Sequence, residues 1–272
     1  MVRSLWSGAS GMKGQQVQVD TIANNLANVN TMAYKSQSAQ FKTLLYQTLE
    51  AESTNAQGET KPTSAQVGLG TRVASLNANF TQGPQMANDS KTAMCIIGEG
   101  FFAVQDGEET HYTRNGNFTW AIGPTGDKVL TTSDGYQVLD QAGRPITLPR
   151  TAGELGFAVN IDDGSCSYKD QAGNIIRTGQ SIALYQFTNR VGLNKIGENL
   201  YDESDASGEP ISEWNTAGVT RSQIAQGYLE GSNVNVADEM VNLIIAQRAY
   251  EMNSKAITTS DTMLEQANNL KR

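Results

Sequence analysis

The sequence predicts an α+β fold, with paired N- and C-terminal coiled-coil-like helices and a central antiparallel β-rich domain. Two observations lead to this prediction: an apolar seven-residue repeat near each end of the chain, and short strand-like runs between turn residues in the middle. A seven-residue apolar repeat is typical of a helix that packs lengthwise on another helix. Short strand-like runs at regular spacing are typical of antiparallel sheets.

The first predicted element is a helix from about Ser4 to about Asn28. Its apolar positions recur every seven residues, with a second line beside them: Leu5, Met12, Val19 and Leu26, then Ile22 and Val29. Gly8, Gly11 and Gly14 lie inside this helix, and each costs it about 1 kcal/mol relative to alanine. These glycines allow two interpretations: a frayed first turn, or close approach to another helix where a side chain would not fit.

The region after the first helix changes character within a few residues. Residues 36–50 keep helix-like spacing, with apolar side chains at Phe41, Leu44, Leu45 and Leu49. Residues 50–66 have no apolar periodicity, which is typical of an extended or mobile loop.

The middle of the chain, from about residue 90 to residue 205, predicts short strands joined by tight turns. Asn115-Gly116 predicts a hairpin turn between its flanking strands because both residues accept positive φ. Asp134-Gly135 lies between two further strand-like runs and predicts a tight turn there. The strand spacing suits an antiparallel sandwich or an open barrel.

The last predicted helix follows Asn235, which can cap it. Asp238 and Glu239 suit the exposed N–H groups and the positive dipole end of its first turn. Its apolar positions recur every seven residues, with a second line beside them: Val236, Leu243, Tyr250, Ile257 and Leu264, then Ala249, Ala256, Met263 and Leu270. Because most amphipathic helices face a core, the spacing favours an intramolecular helical hairpin over packing between molecules.

The side chains that catalysis or metal binding needs are few and scattered. The only histidine, His111, lies in a predicted strand, and the two cysteines, Cys95 and Cys166, are far apart in the sequence. A histidine without a nucleophile motif does not make a catalytic triad, and these three residues do not make a zinc site. We therefore predict that the protein is not an enzyme and has no catalytic residue, cofactor or metal.

The charge and the N-terminus bear on partners and location. A formal net charge of -8 disfavours nucleic-acid binding, which needs a basic surface. The first residues lack the apolar core of a secretory signal, and no stretch is apolar enough to span a bilayer. If the protein leaves the cytoplasm, we expect it to do so without a cleaved signal peptide.

Four motifs that follow one another along the chain indicate a family. They are IANNLANVNTMAYK at 22–35, IGEGFFAV at 97–104, YTRNGNF at 112–118 and EGSNVNVADEMVNLIIAQRAYE at 230–251. In these motifs the chain resembles the bacterial flagellar rod and hook proteins. The motif residues that we single out are Asn24, Asn25, Asn28, Asn30, Thr31, Asn233 and Asn235. The family commonly has glycine where this chain has Ala33, and since alanine tolerates positive φ poorly, we expect a non-standard turn there.

The resemblance implies a structural subunit of the flagellar distal rod, which polymerises into a rigid hollow helical shaft that transmits motor torque to the hook. Length and the polar segment after Tyr46 are the features most similar to distal rod subunits. The implied partners are further copies of the chain in a helical filament, the proximal rod proteins, the hook protein and the type III export apparatus, with surrounding ring proteins left open. The implied location is the basal body in the cell envelope. A hook or proximal-rod subunit is the alternative, and a rod-associated peptidoglycan hydrolase is disfavoured because the rod motifs leave no room for an enzymatic domain.

The resemblance also divides the chain into regions and assigns an interface. Residues 1–40 and 230–272 form a terminal helical core, 41–89 and 206–229 a connecting region with an extended rod-type insertion, and 90–205 a β-rich outer domain. We expect the two helices to pair within a subunit and to bury their remaining apolar stripe between subunits. The predicted self-assembly residues are Leu5, Met12, Val19, Ile22, Leu26, Val29, Val236, Leu243, Tyr250, Ile257 and Leu264.

Overall fold

A computed structural model of the protein describes residues 2–50, 65–124, 126–150, 153, 156–170, 173–216 and 218–270. The chain forms two compact units, and each is continuous in space but not in sequence. The first, here the helical unit, holds both long helices and the strands between residues 37 and 79. The second, here the β unit, holds residues 28–36 and Phe80–Val234.

The described elements are two α-helices, one short 3-10 helix at Arg190–Gly192, and β-strands throughout the region between the long helices. The long helices are α1 (Val2–Ala27) and α2 (Val236–Asn269). The strands are β1 (Gln37–Thr43), β2 (Tyr46–Glu50), β3 (Ala65–Gly68), β4 (Thr71–Ala78), β5 (Gln85–Ala87), β6 (Met94–Ile97), β7 (Phe101–Asp106), β8 (Glu109–Thr113), β9 (Phe118–Ile122), β10 (Lys128–Thr132), β11 (Gln137–Val138), β12 (Thr147–Leu148), β13 (Ala158–Val159), β14 (Ser165–Lys169), β15 (Ile175–Ser181), β16 (Leu184–Gln186), β17 (Asn194–Gly197), β18 (Leu200–Asp202), β19 (Ile211–Ser212), β20 (Gln223–Gln226) and β21 (Tyr228–Glu230). The predicted α+β class, with a helix at each end and antiparallel strands between, is confirmed.

The helical unit contains a strand region where the sequence predicted helical spacing. Strand β1 pairs along its length with β4, from Gln37 opposite Ala78 to Thr43 opposite Thr71, and β2 pairs with β3. The prediction of helix-like structure over residues 36–50 is therefore wrong. Four apolar residues at helical spacing cannot outweigh pairing with strands that lie far along the chain. Most of the predicted insertion at 50–66 lies outside the described residues.

The β unit is organised around β7, which is buried on both faces. Successive side chains of a strand point to opposite faces, and Phe102 and Val104 therefore lie in one apolar cluster while Phe101 and Ala103 lie in another. Strand β7 pairs with β8, β11 and β16. These pairings make β7 the centre of a ten-stranded antiparallel sheet.

The two predicted turns of the β unit have different outcomes. Asp134-Gly135 joins β10 to β11, and Gly135 has a φ of 99°, as the turn requires. Asn115-Gly116 does not form the predicted hairpin, because β8 pairs with β7 and β18 while β9 pairs with β10. Gly116 is needed there for close backbone approach, since a Cβ atom at that position would collide with the carbonyl oxygen of Met94.

Ala33 adopts the backbone conformation that glycine favours. Its φ is 57°, in the left-handed region, although its side chain is buried. The turn thus has an alanine in a conformation that glycine adopts more readily. A hydrogen bond of 2.8 Å from the Ala33 N–H to the carbonyl oxygen of Glu230 holds this turn in place. Among the described residues, no helix combines the length and apolar character needed to cross a membrane.

Candidate self-assembly surface

The two terminal helices run antiparallel within the helical unit. Near the start of α1, the hydroxyl of Ser4 lies 3.1 Å from the hydroxyl of Ser260, which is near the end of α2. Near the end of α1, the Asn25 side-chain amide donates to the carboxylate of Glu239 at 3.0 Å, in the first turn of α2. Both chain ends therefore contribute to one helical surface.

Two of the three glycines in α1 allow the helices to approach closely. A Cβ atom at Gly8 would lie 2.9 Å from Cγ1 of Ile257, and one at Gly11 would lie 2.8 Å from Nδ2 of Asn253. Gly14 faces the β1–β4 ribbon instead, where its Cβ would lie 3.2 Å from the ring of Phe41. The helix is continuous through all three glycines. The structure thus supports the close-approach interpretation over a frayed first turn.

The side of α2 with reduced exposure follows steps of four and three residues. Apart from Tyr250, which is 43% exposed, the residues of this line are buried or half-buried: Glu239, Leu243, Ala246, Tyr250, Asn253, Ile257, Ser260 and Leu264. Alternating steps of four and three are the spacing of a helix seam. Half of this line is small or polar, so the contact with α1 uses only part of the apolar surface of α2.

The opposite side of α2 exposes a broad apolar surface, which we call the outer face of α2. Its members are exposed apolar residues of the helix and of its C-cap: Met240, Val241, Ile244, Ile245, Met252, Met263 and the cap residue Leu270. Ile244 is 55% exposed, Ile245 61% and Met252 70%. Trp6, on α1, is 69% exposed. Met240, Val241, Ile244 and Ile245 are exposed neighbours at helical spacing, and a cluster of exposed apolar side chains on a folded protein marks a site of interaction.

The predicted self-assembly residues fall mostly on the inner side of the helices. Ile22 is buried, and eight others are half-buried: Leu5, Met12, Val19, Leu26, Val29, Leu243, Ile257 and Leu264. Val236 and Tyr250 are exposed, and Tyr250 lines a groove of about 310 Å³ together with Val19 and Gln247. Sequence reasoning missed Val241, Ile244 and Ile245. They lie between the seven-residue lines, and the run of apolar residues at 243–246 is the signal that could have revealed them.

Several of the family asparagines form side-chain hydrogen bonds near the ends of the helices. Asn25 is buried, and its side-chain oxygen and nitrogen bond the N–H and carbonyl of Gln37 at 2.9 and 2.8 Å. Asn28 accepts from the Thr31 hydroxyl at 3.0 Å. The predicted cap is confirmed, since the side chain of Asn235 accepts the N–H of Ala237 at 3.1 Å. Asn24 and Asn30 are exposed.

Asn233 joins two segments of the β unit. Its side-chain oxygen accepts the N–H of Ser36 at 2.8 Å, and its side-chain nitrogen donates to the Thr81 carbonyl at 3.1 Å. A single asparagine offers both a donor and an acceptor. This property suits it to binding two backbone segments at once.

The sequence-based candidates for catalysis or metal binding are His111, Cys95 and Cys166. In the structure the histidine contacts a carboxylate, and both cysteines are buried. Nδ1 of His111 lies 2.6 Å from the carboxylate of Asp202 across neighbouring strands. Burial raises the pKa of the Cys95 thiol to about 11 and that of Cys166 to about 12. Both thiols are free and inside the β unit. Within the described part of the chain, no three acidic, histidine or cysteine residues cluster as metal ligands.

Comparison with known proteins identifies three matching family models in chain order. Residues 5–35 match the flagella basal body rod protein model, residues 95–168 match the D1 domain of the flagellar hook protein FlgE/F/G, and residues 225–270 match the C-terminal part of the flagellar basal body rod FlgEFG protein. The first and last matches contain most of α1 and α2. The predicted family motifs all lie within, or overlap, these three regions.

Full-length relatives give the same result. The flagellar basal-body rod protein FlgG of Borreliella burgdorferi is 43% identical over 279 residues, which cover 100% of both chains. FlgG of Bacillus subtilis is 38% identical over 272 residues, again covering 100% of each chain. FlgG of Buchnera aphidicola from Acyrthosiphon pisum is 40% identical over 275 residues, covering 99% of this chain and 100% of the relative. The chain therefore belongs to the family of flagellar basal-body rod proteins that includes FlgG.

Proposed function

We propose that the protein is a structural subunit of the flagellar distal rod and polymerises through its helical unit into a rigid, hollow helical shaft that transmits motor torque to the hook. The observation that carries this proposal is the outer face of α2, which remains exposed although α2 is already packed on α1. Family membership makes the rod the place where such a face would be covered.

The energetics of the outer face favour contact with another copy. Fully burying one isoleucine or methionine side chain contributes about 1.5–3 kcal/mol, and several such side chains lie along α2. Contact between unlike surfaces of identical subunits gives a helical filament when the rotation between neighbours does not close a ring. In this arrangement the α1–α2 pair has a coiled-coil-like seam inside each subunit and buries the outer face between subunits.

The β2–β3 ribbon supports a second contact between subunits. A ribbon of two strands alone is marginally stable in water and gains stability when its apolar side chains are covered. Three large apolar side chains on or beside this ribbon remain uncovered: the exposed fraction is 85% for Leu45, 60% for Tyr46 and 52% for Leu49. Tyr46 covers Gly68 on the paired strand, where a Cβ atom would lie 3.4 Å from its ring. We infer that the ribbon and its insertion brace a neighbouring subunit, which stiffens the shaft.

Partners and location follow from the same proposal. The subunit would join proximal rod proteins at one end of its polymer and the hook protein at the other. It would reach the basal body through the type III export apparatus without a cleaved signal peptide. Neither a cofactor nor a nucleic acid has a role in this account.

A paired substitution on α2 tests the proposal. Ile244→Ser with Ile245→Ser removes apolar surface that the subunit does not bury, so we expect unchanged thermal unfolding of the monomer. We expect polymerisation, followed by sedimentation and electron microscopy, to be lost. The matched control is Ile122→Ser with Ile175→Ser, because these residues of the β unit are similarly exposed, at 83% and 69%. Normal polymers from the α2 variant, or loss of polymers in both variants, would contradict the role of the outer face.

A further inference from the structure

The chain passes between the helical unit and the β unit four times, after Ala27, Ser36, Asn79 and Val234. Three segments of the β unit adjoin these passages: residues 28–36, 80–84 and 230–234. All three meet around one buried carboxylate, that of Glu230. Two of them also contain the family motifs, so their chemistry bears on what those motifs do.

Glu230 binds a side chain or backbone group from each neighbouring segment. Its Oε1 lies 2.6 Å from Nζ of Lys35 and accepts the N–H of Gly83 at 3.0 Å. Its Oε2 accepts from Nε of Arg114 at 2.9 Å. Its own carbonyl oxygen accepts the N–H of Ala33 at 2.8 Å. Glu230 thus joins all three segments and, through Arg114, the sheet core.

Further hydrogen bonds join the same three segments to one another. The Lys35 ammonium also donates to the Thr81 carbonyl at 2.8 Å. The N–H of Gly231 donates to the Pro84 carbonyl at 2.8 Å. Asn233 adds the bonds to Ser36 and Thr81 described above. Every pair among the three segments is therefore linked by at least one hydrogen bond.

A gain in folding stability does not by itself explain why three charged side chains are buried in this cluster. The side chains of Lys35, Arg114 and Glu230 are between 0% and 1% exposed, and desolvation of buried ions offsets much of their attraction. Nη1 of Arg114 is buried without a hydrogen-bond partner among the described residues. Replacing such a cluster by apolar side chains often leaves stability unchanged. What apolar side chains cannot supply is the set of directed bonds to Thr81, Gly83 and Gly98.

The directions of the pKa shifts are those expected if Glu230 forms ion pairs with Lys35 and Arg114. Burial alone would raise the pKa of Glu230, but the nearby Arg114 and Lys35 cations outweigh burial and hold the pKa below its ordinary value. Burial lowers the pKa of Lys35, and Glu230 opposes that effect.

We propose that Glu230, Lys35 and Arg114 are positioning residues that clamp the three β-unit segments adjoining the four chain passages into one node. The mechanical consequence rests on the proposed function. The four covalent passages carry force between the helical unit and the β unit. With the node closed, force on one passage is shared by the others, and the β unit does not unravel from a single loaded segment.

Hydrogen exchange on the full-length monomer tests the node itself. The main variant is Lys35→Met/Arg114→Met/Glu230→Leu, which removes all three charges together and keeps the site filled. We expect near wild-type thermal unfolding, because no charge is left unpaired. We expect the amide of Gly83 to exchange about 10- to 100-fold faster, because it loses its carboxylate acceptor. We expect the amides of Ala33 and Gly231 to exchange faster by a similar factor, because their backbone hydrogen bonds join segments that the three charged side chains no longer hold together. The amides of β7 should be unchanged.

Two comparisons keep the result interpretable. Glu230→Gln alone should lower the thermal midpoint, because it leaves two buried cations without an anion. Glu213→Gln is the matched control, since Glu213 is also a buried carboxylate of the β unit and accepts from Ser222 N at 2.6 Å and Gln186 Nε2 at 2.8 Å. It should leave the node amides at their wild-type rates. Wild-type protection of Ala33, Gly83 and Gly231 in the triple variant would overturn the clamp.

A motility assay tests the mechanical consequence separately. Cells that carry the triple variant should assemble rods and swim normally in dilute medium, but should lose motility at a lower medium viscosity than wild-type cells. Equal tolerance of viscosity would overturn the load-sharing role. If the protein were not a rod subunit, the Ile244→Ser/Ile245→Ser variant would also leave rods and motility unaffected, whereas failure of load sharing alone would leave that variant without rods. The exchange result would decide in either case whether the node exists.

Discussion

Gly8 is the position where the packing of α1 on α2 can be perturbed most directly. A Cβ atom there would lie 2.9 Å from Cγ1 and 3.3 Å from Cδ1 of Ile257, and 3.6 Å from the carbonyl oxygen of Asn253. Contacts below 3.0 Å require movement, but the Ile257 side chain can rotate. For Gly8→Ala, relief of the glycine cost of about 1 kcal/mol roughly cancels the strain, so we expect a change in unfolding free energy within about 1 kcal/mol.

Gly8→Leu should behave differently. Three further carbon atoms cannot fit between α1 and Ile257, so the helices must separate along this turn. Overpacking of this kind costs about 1–3 kcal/mol, and the gain in helix propensity of about 1 kcal/mol offsets part of that cost. We expect the helical unit to lose up to about 2 kcal/mol of unfolding free energy. The assay is urea unfolding of the full-length monomer followed by far-ultraviolet circular dichroism.

Two further variants identify the cause. Ala9→Leu adds a larger group at a neighbouring exposed position of α1, and should leave stability unchanged or slightly raised. Ile257→Ala in the Gly8→Leu background opens space at the contact and should restore part of the lost stability. Equal stability of Gly8→Leu and Ala9→Leu, or no recovery with Ile257→Ala, would refute the close-approach reasoning.

The remaining predictions concern one cap, one ion cluster and one glycine. Asn235→Ala removes the N-cap hydrogen bond of α2 and should destabilise the helical unit by about 0.5–2 kcal/mol, measured by thermal unfolding; Asn235→Gly, which costs only a few tenths, is the control. The folded-state pKa of Glu230 lies below its ordinary value of 4.5, so its stabilisation is complete above that pH and is lost as pH falls through the folded-state pKa. Stability should therefore decline in acid in the wild type and decline less steeply in Glu230→Gln, and equal slopes would exclude the ion cluster as the cause. Gly116→Ala should destabilise the β unit by more than 2 kcal/mol, roughly the range for strained backbone contacts, because of the collision with Met94; Gly153→Ala, with no atom within 4 Å of the added Cβ, should be neutral in the same denaturant titration.

The sequence predicted the two helices well because their signals are local. A seven-residue apolar repeat, an asparagine cap and acidic residues in the first turn all act within a few residues of one another. The prediction failed at residues 36–50, because their structure depends on pairing with strands beyond residue 64. It failed again at Asn115-Gly116, where the glycine serves a backbone contact with Met94 and no turn.

The candidate surface was predicted only in part. Following the seven-residue line through Leu243 and Ile257 selects residues mostly on the less exposed side of α2, and it omits Ile244 and Ile245. A helix that packs on one partner within the subunit and on another outside it is apolar over a wider arc than one repeat describes. The Glu230 node could not be predicted from the sequence for a different reason: Lys35 and Glu230 are 195 positions apart in the chain. The motifs at 22–35 and 230–251 marked its residues without showing that they meet.

The central claim is that the outer face of α2 is covered by a neighbouring subunit in the rod. An electron-microscopy map of the assembled polymer, at a resolution that shows side chains, tests this claim most directly. We expect Ile244, Ile245 and Met252 to be buried against a second copy of the chain, with the α1–α2 contact inside each subunit retained. A polymer in which these three side chains face solvent, and in which subunits meet only through their β units, would contradict the account.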